Sequence, residues 1–593
     1  MRPDVYGDLS ADGSSIILVP GSGDVHALRE RELALLTPLV KLTTPPVGLT
    51  LPLSWPAVVQ LAETYGSRLK PQGRLVEWIQ AEAFKRANPV GNEPIMYRLL
   101  SLPDGLKPRP YQYSGARLIA AVGKVLITDE PGTGKTITTI LGLLSRDQDV
   151  ELRTFPAVVV CPASVVDSWV KAWQTWAPHL TALAWRGTPA KRRKLAGIAD
   201  VYVASYDTAR IDIGTAAKPG PLTDLAPAAV VVDECHLIKS PDAARSKAIR
   251  RLAAGAETVV ALSGTPITHN PGDLWPTLVC LEPTAWPSRE RWVNRYCTVV
   301  PGDYSDTIIG LKPGQPENEF RTALLGAHRR VAKADVLDQL PPKVYSVRTV
   351  ELPEINRKRY AAMERDMLAE LDDGQELSAF SVLTQLNFLS ALSCADADVE
   401  VTTSVDEETG EEKQHYHAVL KAPSWKVDAL LEVLEERPGS PVVAFAQSRQ
   451  LMTLAGHAAE KAGYKVGYIV GGQTPARRTE NVDAFQRGEL DLICVTTQAG
   501  GVGITLTAAS TAVFLQRPWS LVDALQAEDR LHRIGAEQHD CIEIIDVVAA
   551  NTIDSRVREA LREKGQQLSD LVQDPRIVSE LLGGASTSDR RAA

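Results

Sequence analysis

Short runs of aliphatic, β-branched residues recur along the chain, each closed by a small polar or acidic turn and followed by a stretch with helical spacing. The runs are VLI at 125–127, AVVVC at 157–161, VYVA at 201–204, AVVV at 229–232 and VVAL at 259–262, and later PVVAFA at 441–446 and LICV at 492–495. Uninterrupted apolar runs of this length fit strands buried on both faces, and their alternation with helices predicts parallel sheets. The expected fold class is therefore α/β with parallel sheets, preceded by a small N-terminal accessory module. Residues 1–92 read as that module. In the module, 15–20 reads as a short strand, 57–65 and 75–85 as amphipathic helices, and 44–53 and 70–73 as Pro/Gly-rich connections. Trp55 and Trp78 could stack on bases, although at their spacing a core role fits better.

Composition changes this picture little. At 593 residues the chain needs more than one core, and its 44% apolar and 23% charged residues are ordinary for a globular protein. A net charge of −9 argues against coating nucleic acid by bulk charge, but leaves room for a local basic groove. Seven scattered cysteines without a C-x-x-C pair predict neither a zinc site nor a disulfide framework. No apolar stretch is long enough to span a membrane, and the N-terminal apolar run is too short for a signal peptide. An intracellular, cytoplasmic protein is expected; abundant Ala, Val and Arg suggest a GC-rich bacterial or phage genome.

Candidate chemistry begins at 125–136, VLITDEPGTGKT, which reads as buried strand, glycine loop and helix start. The backbone N–H groups of Gly132, Thr133 and Gly134 can turn inward on a polyphosphate at the positive end of the helix. Lys135 would reach the β- and γ-phosphates of ATP, and the Thr136 hydroxyl would ligate Mg2+. Asp129 stands where the full phosphate-loop pattern has glycine. Upstream, Gln112 in KPRPYQ could read an adenine edge through its amide, though alone it would be a surface glutamine. The run 229–236, AVVVDECH, delivers two adjacent carboxylates to a strand end. Asp233 can hold the Mg2+ bridging the phosphates, leaving Glu234 to orient and deprotonate the attacking water.

Turns at strand carboxyl ends line the ligand crevice of an open parallel sheet, so Ser164 (in CPAS) and Ser205 (in ASY) are candidate nucleic-acid contacts. The basic run KRRK at 191–194 is a solvated helix face first and a phosphate contact second. Ser263 and Thr265, in LSGTP, could hydrogen-bond the Asp-Glu turn as a relay.

The order KPRPYQ, DEPGTGKT, VVCPAS, DECH, LSGTP, followed by PVVAFAQS, YIVGGQTPARRTENVDAF, LICVTTQAGGVGITLTAAS and QAEDRLHRIG, resembles a superfamily-two helicase-like ATPase of the Swi/Snf type. The ITLTAAS ending and the DECH box look closest to the annealing-helicase branch. The resemblance implies two RecA-like lobes, at 93–281 and 426–554, with helical protrusions at 282–425, and an ATP- and Mg2+-dependent motor on duplex or branched DNA with little sequence specificity. The alternatives are a strand-separating DNA or RNA helicase and an ATP-switched scaffold for a nuclease or replication partner, and a monomer is expected. The resemblance also implies DNA contacts at Arg478 and Thr497, and places Arg329, Arg330 and Lys333 toward the cleft or the DNA. Residues 555–582 would be a brace helix and 583–593 a disordered tail. Arg530 and Arg533, at i and i+3 on one helix face, would project onto the γ-phosphate as arginine fingers. Pro131, Thr133, Cys235 and Gln498 depart from the family pattern. The acidic stretch 396–417 reads as an exposed hairpin or a disordered loop.

Overall fold

The computed structural model describes residues 4–22, 41–43, 48–87, 102–149, 152–267, 270–301, 307–324, 326–337, 339–372, 379–405, 412–497, 504–559 and 561. The chain divides into two compact units, Met1–Val336 and Leu337–Ala593.

The first unit is built on a seven-stranded sheet. Its order is His328–Arg329, Lys124–Ile127, Thr258–Leu262, Ala229–Asp233, Ala157–Cys161, Val201–Ser205 and Ala182–Ala184. Every pairing is parallel. The central strands are almost wholly buried, which is why their sequences are continuous apolar runs rather than alternating ones. The register pairs Asp233 with Leu262, and Leu262 with Ile127. The phosphate loop and the acidic turn thus leave the same carboxyl edge, two strand spacings or about 10 Å apart. Helices Pro110–Val122 and Lys135–Arg146 flank the loop. They approach at Gly142, where a Cβ would come within 2.6 Å of Ile119.

The N-terminal segment forms a five-stranded sheet, ordered Lys41–Thr43, Gly48–Pro52, Ser15–Pro20, Val5–Leu9 and Leu69–Pro71. The stretches 44–53 and 70–73, expected as connections, thus contribute to strands Gly48–Pro52 and Leu69–Pro71. Backbone pairing to Ser15–Pro20 and Val5–Leu9 decides this, and the prolines fall at strand ends, where they are tolerated. The helices at Trp55–Tyr65 and Gly73–Ala87 match expectation. Trp55 is core: its indole Nε1 donates to the Thr322 carbonyl at 3.0 Å, while Gln60 donates to the Tyr296 hydroxyl at 3.4 Å.

Residues 282–425 are not helical throughout. Besides helices Arg289–Tyr296, Gln315–Ala323, Glu354–Asp372 and Ala379–Leu392 they hold a hairpin of Cys297–Val300 with Thr307–Leu311, between the first two helices. His328–Arg329 extends the first sheet and Lys343–Val350 the second. The acidic stretch takes the hairpin alternative, Asp396–Val405 against Glu412–Lys421.

The second unit has a six-stranded parallel sheet, ordered Lys343–Val350, Ile542–Ala549, Thr511–Phe514, Val442–Ala446, Leu492–Thr496 and Val466–Ile469. Gln498 and the glycine run after it, most of the expected brace helix and the 583–593 tail lie outside the described residues.

Candidate functional site

After the Lys124–Ile127 strand the chain turns through 128–134. Gly132 and Gly134 adopt φ of 84° and 82°, the left-handed region that turns successive N–H groups to one side of a loop. A Cβ at Gly134 would also meet Gln112 Nε2 at 2.5 Å. Lys135 opens the following helix, and its Nζ donates to the Asp129 carbonyl at 2.8 Å and the Glu130 carbonyl at 3.2 Å. The ammonium thus lies across the loop. Thr136, in the first turn of that helix, is partly exposed. This glycine cradle with an adjacent lysine fits a nucleotide polyphosphate, and Thr136 and Asp233 carry oxygen donors of the kind that could hold an accompanying Mg2+.

Gln112 is buried. Its Oε1 accepts from the Arg109 N–H at 2.9 Å and its Nε2 donates to the Thr133 carbonyl at 3.2 Å, where the Tyr111 hydroxyl also donates at 2.8 Å. Tyr111 and Gln112 therefore hold the crest of the loop. Periodicity did not single out Tyr111, although its place beside Gln112 was a signal.

Asp233 ends its strand, and Glu234 turns out of it with φ 51° and ψ 54°. The Asp233 carboxylate accepts from Trp169 Nε1 at 2.7 Å through Oδ2 and from the Glu234 N–H at 3.0 Å through Oδ1. Burial and the neighbouring Glu234 charge push the Asp233 carboxyl up to about 6, opposed by Trp169 and Lys135. Glu234 Oε2 lies 3.3 Å from His236 Nδ1, which in turn is 3.0 Å from Ser263 Oγ. Ser263 thus reaches the acidic turn through His236, and its Oγ also accepts the Thr265 N–H at 3.1 Å.

Arg329 and Arg330, expected toward the cleft or the DNA, engage the phosphate-loop segment of their own unit. Arg329 Nε pairs with Asp129 Oδ1 at 3.2 Å and its Nη2 donates to the Tyr111 carbonyl at 2.7 Å. Arg330 donates to the Thr128 and Gly264 carbonyls at 3.1 and 3.3 Å. Lys333 is buried, and its N–H donates to Glu130 Oε2 at 2.8 Å. The reason is the carboxylates at 129 and 130: Asp129 is 1% exposed, and burial pushes its carboxyl up against the opposing pull of Arg329 and Lys135.

Among the nucleic-acid candidates of this unit, Ser164 is exposed on a turn after the Ala157–Cys161 strand. Ser205 caps helix Tyr206–Ile213, accepting the Thr208 N–H at 3.3 Å. In the basic run, Arg192 pairs with buried Asp212 at 2.9 Å, so that residue serves packing.

In the second unit, Arg478 lies partly buried on helix Pro475–Gln486, and Thr497 is buried at the end of its strand. Arg530 and Arg533 are not on a helix face. The helix spans Leu521–Glu528 and ends at its cap Asp529, so both arginines lie in the turns that follow. They still converge, donating to the Ile504 carbonyl at 3.5 and 3.2 Å, and burial holds the Arg533 guanidinium below its usual range.

A glycine phosphate loop and an acidic turn on one edge of a parallel sheet, followed by a second parallel-sheet unit, define a two-lobed helicase-like ATPase. A model of the SNF2-related domain matches residues 72–397, more than half of the chain, and one of the helicase conserved C-terminal domain matches 425–535. The chain belongs to the SNF2-related family. It is 26% identical over 532 residues to the TATA-binding protein-associated factor MOT1 of Saccharomyces cerevisiae, covering 78% of this chain and 27% of that protein. It is 26% identical over 478 residues to the ISWI chromatin-remodeling complex ATPase ISW1 of the same yeast, covering 77% of this chain and 40% of that protein. The chain thus spans between about a quarter and two fifths of these relatives. The Sulfolobus solfataricus SWI2/SNF2 ATPase core in complex with dsDNA is similar at 22% identity and a TM-score of 0.36, over 82% of this chain and 96% of that one. That score is too low to add to the fold read from the strand order. None of these relatives supports the bacterial or phage source expected from composition. Among the described residues, no helix is long and apolar enough to cross a membrane and no cluster of three or more potential metal ligands occurs.

Proposed function

We propose that the chain is an ATP-dependent motor that couples Mg-ATP hydrolysis to movement on duplex or branched DNA, in the service of remodelling or annealing. The observation that carries this reading is the pairing of the Lys135 cradle with the Asp233–Glu234 turn on one sheet edge. Lys135 withdraws from two backbone carbonyls to meet the phosphates, an exchange of weak acceptors for charged ones. Thr136 and Asp233 would hold Mg2+, which would supply charge neutralisation at the transferred phosphoryl group. Glu234, held near His236, takes the proton of the attacking water. Arg530 and Arg533 stabilise the charge that develops on the γ-phosphate. Ser164, Ser205, Arg478 and Thr497 belong to the proposed DNA path, with phosphate contacts dominating and sequence preference low. We take the working form to be an intracellular monomer.

The test is steady-state ATPase of the full chain alone and with single-stranded DNA, blunt duplex, forked duplex or RNA at one low salt concentration. Stimulation by duplex or fork, with little by RNA, is the expected result. Lys135→Ala and Glu234→Gln are expected to lower the stimulated rate by at least 10³-fold while DNA binding is retained. Stimulation by RNA alone, or undiminished hydrolysis by Glu234→Gln, would refute the reading.

A further inference from the structure

The acidic turn is gripped from two sides by aromatic side chains that the sequence did not mark. Trp169, on helix Val166–Trp176, is 2% exposed and directs its only donor at Asp233 Oδ2, 2.7 Å away. Tyr206, at the start of helix Tyr206–Ile213, is equally buried; its hydroxyl donates to the Asp233 carbonyl at 2.6 Å and approaches the Glu234 carbonyl at 3.4 Å. The indole bond and the Glu234 N–H engage opposite oxygens of Asp233, which fixes the plane of the carboxylate and leaves each oxygen further lone pairs. The tyrosine bond holds the backbone where Glu234 enters its left-handed conformation.

We propose that Trp169 and Tyr206 are positioning residues that hold the Asp233–Glu234 turn in the geometry that receives the nucleotide-bound Mg2+. The proposal rests on the nucleotide-site reading above and deepens it. Trp169 lies five positions after Ser164, and Tyr206 directly after Ser205, so each grip comes from an element that opens at a strand-end turn of the proposed DNA path. Movement of the first turn is thereby passed to the Asp233 carboxylate, and movement of the second to the Asp233 backbone carbonyl, each through one hydrogen bond.

The helix supplies its own control. Trp173 is one turn further on and fully buried, but its indole N–H has no hydrogen-bond partner. Trp169→Phe and Trp173→Phe therefore make the same chemical change on one helix, and only the first removes a bond to Asp233. Binding of a non-hydrolysable ATP analogue to the full chain is measured by calorimetry across a Mg2+ series and in EDTA, with melting temperature recorded for each variant. Trp169→Phe is expected to raise the Mg2+ concentration that gives half of the gain in affinity by roughly tenfold or more, with affinity in EDTA unchanged. Tyr206→Phe is expected to shift it in the same direction, and Trp173→Phe to leave it at the wild-type value. An unchanged Mg2+ dependence in Trp169→Phe, or equal shifts in Trp169→Phe and Trp173→Phe, would overturn the proposal. A wild-type chain whose affinity gains nothing from Mg2+ would overturn the nucleotide-site reading and this inference together.

Discussion

Glu528 sits in the stretch QAEDRLHRIG yet is wholly buried, and its surroundings show what that stretch does besides presenting arginines. Burial alone would push its carboxyl up, but Lys343 and Arg517 more than reverse this and hold it below the usual 4.5. Arg517 bridges Glu528 and Asp546, at 2.6 Å to each, and its guanidinium lies 4.0 Å from the centre of the Phe514 ring. Tyr345 adds a hydroxyl bond to Glu528 at 2.8 Å. The network ties the end of helix Leu521–Glu528 to the sheet, so the turn carrying Arg530 and Arg533 starts from a fixed point. Arg517→Met would leave two buried carboxylates facing each other and is expected to cost about 3–5 kcal/mol of stability, measured by denaturant unfolding of the full chain. Because the folded Glu528 carboxyl is depressed, its contribution is present above 4.5 and lost as pH falls through its folded value. Arg517→Met removes one of the two cations that hold the Glu528 carboxyl down and leaves Lys343, so that carboxyl rises relative to wild type and the deficit is expected to narrow as pH is lowered from 7 towards 4. A deficit that widens in acid would contradict this account of the network.

At the scale of elements, the sequence was informative wherever a strand is buried on both faces, because the code is then simply apolar. The strands at Ala157–Cys161, Val201–Ser205, Ala229–Asp233 and Thr258–Leu262 were legible for that reason, as were the turns that end them. His328–Arg329 was illegible: HRRVAK has no strand periodicity, and the strand exists because the 126–130 backbone offers it partners, as in Leu126 N–H to Ala327 O at 2.7 Å and Glu130 N–H to Val331 O at 3.0 Å. Arg329 and Arg330 read as facing the cleft or the DNA because a sequence displays charge but not the carboxylate that neutralises it. The arginine pair at 530 and 533 was placed on a helix for a similar reason, since the helical spacing continues past Asp529 while the backbone does not. The roles of Trp169 and Tyr206 were illegible, because one donor pointing inward leaves no trace in periodicity. The inward arginines make the 328–333 segment a wall of the phosphate loop. Arg329→Met is expected to strand the Asp129 carboxylate, lower stability by about 3 kcal/mol and weaken nucleotide binding, whereas Asp129→Asn in the same background should restore part of the loss. Additive losses in that double variant, by calorimetry and thermal melting, would show that the pair is not coupled.

At the scale of the whole chain, the N-terminal segment matters most, since its role cannot be read from motifs. An accessory module that merely selects substrates could be removed with loss of preference alone. The packing of the first unit points elsewhere. Trp55 and Val59 belong to the same apolar core as Trp286, Trp292, Tyr296 and Phe320, whose rings pack edge to face or tilted at 5.4–6.1 Å. Glu319, bonded by Tyr296 and paired with Arg295 at 2.6 Å, is 3% exposed, and Gln60 completes that buried polar group through the Tyr296 hydroxyl. Removing residues 1–91 would uncover these aromatic rings and admit water to the Glu319–Arg295 pair. Burying a side chain such as Trp55 stabilises by roughly 3–5 kcal/mol when judged by its truncation, and several such contacts are lost at once. Deletion of 1–91 is therefore expected to lower the melting temperature of the full chain markedly and to give an aggregating product. The gentler Gln60→Leu, which removes one bond to Tyr296 while keeping the helix face apolar, should melt within a few degrees of wild type. A deletion variant that stays monomeric and melts at the wild-type temperature would return the segment to the role of a detachable module.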